Sequence, residues 1–267
     1  MTAALHRRVS LNLVSGWGWT LDEHLAFLAR EGIGAISVTT RNLEGEGAIG
    51  AIRAAGVQVV SVGTGVGSLI EGPQAALARL EPVIAAAAAL GSPTAFTVTG
   101  PTPPRMATDL ACDLLVQALG PVAEHARTRG VRLAIEHSSI ATRELGFVCT
   151  LADACAVAAE ADLGVIVELQ NCWCEGAPAR LFRQHAPRLA VVQCNDFRLG
   201  EDPRRNRRVP GDGDMPLEWL LGALLDAGYA GMFDLELLGP AIEAEGYAGA
   251  MRRGVDWLSE RLTRWGV

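Results

Sequence analysis

Lysine is absent from the chain: all 23 basic residues among its 267 are arginine. Two chemistries go with it. A Schiff base formed by an enzyme amine needs a lysine, and so does a phosphate loop of the Walker type. Positive charge is short overall, because 30 acidic residues leave a formal net charge of −7. The corresponding pI is near 5.3. Nucleic acid and anionic membranes want a basic surface, so neither is expected as a partner. Long apolar runs are missing too. The alanine-rich stretch 85–90 lies in a segment punctuated by Pro82, Gly91 and Pro93, which argues against a membrane span. Nothing ahead of the first strand-like segment resembles a secretion signal, and the six cysteines are scattered in core-like sequence. Reduced thiols and a cytoplasmic location are therefore expected. Cys172, Cys174 and Cys194 match no standard zinc spacing.

What is present reads as a folded α/β chain. With 49% hydrophobic and 20% charged residues, it can bury a large core, and its length suits one domain over residues 1–267. Eight short segments are rich in Val and Ile: 8–14, 35–40, 57–63, 95–100, 132–137, 164–170, 189–196 and 232–239. They are apolar throughout rather than alternating, as strands buried on both faces are. Helical patterns separate them. Residues 20–32 start on the capping candidate Thr20 and stop at Gly32, and residues 216–231 close around Gly228. An open doubly wound sheet would alternate in the same way. Its glycine-rich turn after the first strand is lacking, since SGWGWT has no third glycine and GTGVGS (63–68) is a similarly weak match. The expected fold is a single-domain (β/α)8 TIM barrel.

Four oxygen-bearing side chains stand where strand-like segments run out: Glu136, Glu168, Gln193 and Glu236. They lie 32, 25 and 43 residues apart, one or two strand–helix units each. In a parallel barrel such strand ends open on one face, the face where barrel enzymes do chemistry. Three unpaired carboxylates gathered there would repel one another and raise each other's pKa. A bound dication removes that repulsion, so the four residues read as one divalent-metal site.

The run VPGDGDMPLEWLLGALLDAGYAGMFDLELLG (209–239) resembles a segment of the xylose-isomerase-like barrel superfamily. The shared features are the PGxG turn, the tryptophan after it, a glycine–tyrosine–glycine turn and the last metal-binding Glu. AREGIGAISV (29–38) is similar to that family's entry into its second strand, so the likeness covers nearly the whole chain. The family's usual metal set is Glu, Asp, His, Glu. Carried over, it falls on Glu136, Glu168, Gln193 and Glu236, with Glu for Asp at 168 and Gln for His at 193. An all-oxygen set favours Mn²⁺ or Mg²⁺ over Zn²⁺ or Cu²⁺. The resemblance implies a sugar or sugar-phosphate isomerase or epimerase, with Glu136 and Glu236 moving a proton beside a carbonyl through a metal-stabilised enediolate. Gln193 resembles the 3-dehydroshikimate dehydratase branch, which makes a lyase on a cyclic hydroxy-ketone the alternative. A non-catalytic binding protein is a second alternative, motivated by the departures at Glu168, Gln193 and Asn171. The superfamily's nucleases are disfavoured by the acidic pI and the missing His ligands.

Several further residues are expected around the substrate, a small carbonyl compound. Asn171 stands where many relatives carry a His, and Asp196 and Arg198 follow the seventh strand. Trp17, Trp19 and Trp173 offer flat walls in loops at strand ends, although core packing explains any single one equally well. The cluster Arg204, Arg205, Arg207 and Arg208 reads either as a solvated basic loop or as a site for an anionic substrate group. His137 alternates with Glu136 and should face the helices in a structural role. A homo-oligomer is compatible with all of this.

Overall fold

The computed structural model describes residues 5–65, 67–202, 204 and 206–267. Its strands are β1 (Val9–Asn12), β2 (Ala35–Thr39), β3 (Gln58–Thr64), β4 (Thr94–Thr97), β5 (Arg132–Glu136), β6 (Gly164–Glu168), β7 (Leu189–Cys194) and β8 (Met232–Leu235). Each pairs in parallel with the next, and β8 pairs in parallel with β1. The sheet is therefore a closed barrel surrounded by helices, the (β/α)8 architecture read from the alternating pattern.

Several strands stop earlier than their apolar runs suggest, and β1 and β6 do so for one shared reason. Asn12, the last residue of β1, accepts the Val14 amide on its side chain and turns the chain into the 3-10 helix Leu13–Gly16. Glu168, the last of β6, accepts the Gln170 amide and caps the helical turn Leu169–Cys172. A polar side chain at the strand end satisfies an orphan amide of the turn that follows. Elsewhere the helix signals agree with the structure. Thr20 and Glu23 form a reciprocal capping box ahead of the helix Leu21–Glu31, and Gly32 ends it at φ 68°. The helix Leu217–Asp226 fills the centre of the expected 216–231 segment.

The core has two parts. Outside the sheet, helix side chains such as Phe27, Leu80, Leu115, Leu220 and Leu258 pack on the strands with almost no exposure. Inside the barrel, Ala35, Val60, Phe96, Ala134, Ile166 and Val191 form a separate apolar cluster. Toward β1, β2, β3 and β8 the buried set turns polar: Ser10 Oγ donates to Asp234 at 2.6 Å and Ser61 Oγ to Ser37 at 2.9 Å. Among the described residues no helix is long and apolar enough to cross a membrane.

Phe96 fits inside the barrel because its partner across β3 and β4 is a glycine, Gly63. A methyl group at Gly63 would fall well inside van der Waals contact of the Phe96 ring. Gly63→Ala is expected to destabilise the fold by about 1–3 kcal/mol, as overpacking does. Gly34→Ala, whose added methyl meets nothing within 4 Å, should stay within about 0.5 kcal/mol of the parent. Urea denaturation of both variants checks the pair; equal midpoints would show that the interior accommodates the extra carbon.

Candidate metal and active site

The four expected ligands come together at the mouth of the barrel. Glu136 and Glu168 end β5 and β6, Gln193 is the penultimate residue of β7, and Glu236 directly follows β8. Glu168 and Gln193 are register partners. Gln193 Nε2 donates to Glu136 Oε2 over a long 3.4 Å. The outer oxygens are held by the barrel itself: Asn195 Nδ2 at 2.7 Å and the Gln170 amide at 3.0 Å donate to Glu168 Oε1, and Asn12 Nδ2 at 3.1 Å donates to Glu236 Oε2.

A cation already lies among the carboxylates. Arg207 places Nη2 3.2 Å from Glu168 Oε2 and Nη1 against Glu236 Oε1, and its side chain is 14% exposed. The alternative of a solvated basic loop is thus corrected at this position, where the arginine turns inward. Its neighbours stay out of the carboxylate cluster: Arg208 pairs with Glu201, Arg204 pairs with Asp202 on the cleft wall, and Arg205 lies outside the described residues.

Burial dominates the electrostatics. Desolvation, with Glu236 and Glu168 close by, pushes the Glu136 carboxyl well above the usual carboxylate range. Glu168 is raised to about 7 by its own burial, against the pull of Arg207. Below them Asp234 is also raised to about 7 by desolvation, although Ser10 donates to it. Burial would lower the Arg207 guanidinium, yet Glu168, Glu236 and Glu136 raise it on balance, so it stays charged. Near neutral pH the site holds protons and one guanidinium as its positive charge.

Above this cluster opens a cleft of about 570 Å³. Glu136, Arg207, Asn171 and Trp17 line it, as do Gln170, Glu144 and Glu243. Trp17 is 49% exposed and lies under Arg41, whose guanidinium carbon is 3.8 Å from the ring centroid. Asn171 reaches the cleft but donates Nδ2 to the His137 carbonyl at 2.9 Å. Other expected substrate residues go elsewhere. Asp196 turns under the loop that follows β7, accepting the amides of Gly211, Gly213 and Met215. That clamp explains the PGDG sequence, because a side chain at Gly213 would collide with the Asp196 carboxylate. Arg198 holds the Asp212 carbonyl at 2.9 Å on the exposed side of the same loop. Trp173 packs against the outer core, and Trp19 meets His24, Phe27 and Tyr247 edge to face. His137 is fully buried and lowered to about 4 by desolvation, hence neutral, consistent with a structural role.

The donors suit an oxygen-seeking dication in kind. Gln193 Oε1 is a buried acceptor without a hydrogen-bond donor among the described residues, and Glu168 Oε2 has only its ion pair with Arg207. As the side chains stand, no three His, Cys, Asp or Glu residues are gathered to hold a metal ion among the described residues. Arg207 was singled out from the sequence only as one of four clustered arginines, and Asn12, Asn195 and Asp234 not at all. The last three carry a period-2 signal, since Asn12 follows Ser10, Asn195 follows Gln193 and Asp234 precedes Glu236 by two positions each. Arg207 carries none.

Known structures share this fold across their full lengths. An IolI protein with a bound zinc atom superposes with a TM-score of 0.83 at 14% identity, covering 96% of this chain and 98% of its own. An L-ribulose 3-epimerase gives 0.75 at 17%, covering 97% and 95%. AsbF from Bacillus anthracis, a probable 3-DHS dehydratase of petrobactin synthesis, gives 0.74 at 13%, covering 94% and 98%. At such identities the likeness speaks for the fold alone. No curated protein matches the chain significantly. The family described as xylose isomerase-like TIM barrel matches residues 26–261. With that match spanning most of the chain, and the barrel and its ring of strand-end carboxylates in place, the chain belongs to the xylose isomerase-like TIM barrel family.

Proposed function

We propose that the chain is a divalent-metal-dependent isomerase or epimerase of a sugar or sugar phosphate, working by proton transfer beside a carbonyl. The observation that carries this reading is the placement of Glu136 and Glu236 at the ends of β5 and β8, three strands apart around one barrel mouth, beneath a cleft of about 570 Å³. Bases on two sides of a substrate carbon can remove a proton from one face and return it on the other.

Glu136, Glu168, Gln193 and Glu236 would hold the dication, Mn²⁺ or Mg²⁺ by their hardness, and when bound it would polarise the substrate carbonyl. The rest is work for side chains. Glu136 lines the cleft, where its carboxyl can take a proton from the substrate carbon and give one back. Glu236 has one oxygen fixed by Asn12, which aims the other inward. Trp17 supplies a flat wall for a sugar ring, and Asn171 and Gln170 put amides on the cleft surface. The arginines of the cleft, Arg204 and Arg207, support an anionic group on the substrate. An amide oxygen at Gln193 keeps the dehydratase reading open, which begins with the same proton removal and continues with loss of a β-hydroxyl as water.

Incubation in D₂O with Mn²⁺ and a panel of ketoses, ketose phosphates and cyclic hydroxy-ketones should place deuterium on one substrate carbon. Glu136→Gln should slow that exchange about 10²–10⁴-fold, the range for loss of a general base. Unchanged composition of the product marks isomerisation or epimerisation, and loss of water with growing ultraviolet absorbance marks the dehydratase. Exchange at parental rates in Glu136→Gln would remove that residue from the mechanism.

Metal should also show in stability. Mn²⁺ is expected to raise the Tm of chelator-treated protein by mass action, by about 2.7 kcal/mol equivalent at a hundredfold excess over Kd. Glu236→Gln should abolish most of the rise. Without metal, stability should fall as pH rises from about 4.5 to about 7. There the native state still holds the protons on Glu168 and Asp234, both raised to about 7, that the unfolded chain has released. Thermal melts from pH 5 to 8 check the sign; a metal-free Tm that climbs across this window contradicts it.

A further inference from the structure

Few oxygens in the carboxylate cluster are open to a cation. Glu168 Oε1 is taken by Asn195 and the Gln170 amide, and Glu236 Oε2 by Asn12. On Glu168 and Glu236 the oxygens left facing the centre are Glu168 Oε2 and Glu236 Oε1, and Arg207 contacts both, one with each terminal nitrogen. A dication held by Glu168 and Glu236 needs these same oxygens. It would also sit in contact with a guanidinium of its own sign, which a buried site does not tolerate.

Resting on the metal reading above, we propose that Arg207 is the site's resident counter-ion and that a dication binds by displacing its guanidinium from Glu168 and Glu236. Metal affinity in this chain is then the balance of a cation exchange rather than the filling of an open cage. The charges support an exchange. Three carboxylates around one guanidinium leave the cluster short of positive charge, which a dication would supply. Geometry supports it as well. Arg207 already lines the cleft, so its head group has room on the wall, where Glu144 and Glu243 offer acceptors. Gln193 Oε1, unsatisfied and buried, waits for a cation that the guanidinium does not reach.

The test is a titration of Mn²⁺ into chelator-treated full-length protein, reading free Mn²⁺ by electron paramagnetic resonance and Tm in parallel. Parent, Arg207→Met and Arg207→Lys are compared. Arg207→Met should bind Mn²⁺ about tenfold or more tightly, because the competitor and its like charge are gone, a factor equivalent to about 1.4 kcal/mol. Its metal-free Tm should drop while its rise on Mn²⁺ addition exceeds the parent's. Arg207→Lys keeps the charge but has one nitrogen and cannot bridge the two oxygens, so its affinity should fall between the others. Should Arg207→Met fail to fold, the lysine variant decides: tighter than the parent supports displacement, and equal or weaker overturns it. Equal Mn²⁺ affinity in parent and Arg207→Met overturns the displacement while leaving the metal reading intact. Absence of Mn²⁺ binding in both sinks the metal reading and the displacement together.

Discussion

Negative charge removed from water is the constraint to which the rest of this barrel answers. Glu168 has no exposed surface and Glu236 very little. Each buried ion costs several kcal/mol unless something nearby compensates. Compensation here comes from three sources at different distances. Asn12, Asn195 and the Gln170 amide fix the outer oxygens, Arg207 neutralises the inner ones, and raised pKa values let Glu136 and Glu168 keep protons. Only a closed parallel sheet brings β5, β6, β7 and β8 round so that donors and acceptors from distant parts of the chain meet at one mouth.

The polar set below the mouth extends the same logic. Ser10, Ser37, Ser61 and Asp234 occupy the interior where β1, β2, β3 and β8 meet, while Phe96, Ile166 and Val191 fill the rest. Half of the interior is therefore dry and half hydrogen-bonded. Asp234 is close enough for its charge to be felt by the site, and its raised pKa reduces that charge near neutrality. A carboxyl in such a place stays compatible with the glutamates above it because it is only partly ionised near neutral pH.

The fold was legible because buried parallel strands leave an unmistakable trace, short Val- and Ile-rich runs set at strand–helix spacing. The common position of Glu136, Glu168, Gln193 and Glu236 was legible because the strand ends of such a barrel open on one face, and all four stand at that mouth. What escaped the sequence depended on a third dimension that spacing does not encode. Nothing separates Arg207 from Arg208 in the string NRRV, yet one is inside the carboxylate cluster and the other on Glu201. Asp196 looked like a pocket acid because it follows β7, and its actual partners are backbone amides from a glycine-rich turn. Trp173 obeyed the plainer rule that large apolar side chains pack.

The clamp under the PGDG turn bears on time as well as on shape. Arg208 exchanges two backbone hydrogen bonds with Asp196, and the Arg207 amide donates to the Leu238 carbonyl at 2.9 Å. The backbone of the inward arginine and of the residue after it is thereby pinned to the chain just past β7 and just past β8. Movement of that guanidinium is confined to the torsions of a single side chain. Such a movement asks for no collective domain motion, which takes microseconds to milliseconds. The proposed exchange of charge at the centre therefore needs no movement of the backbone that carries Arg207.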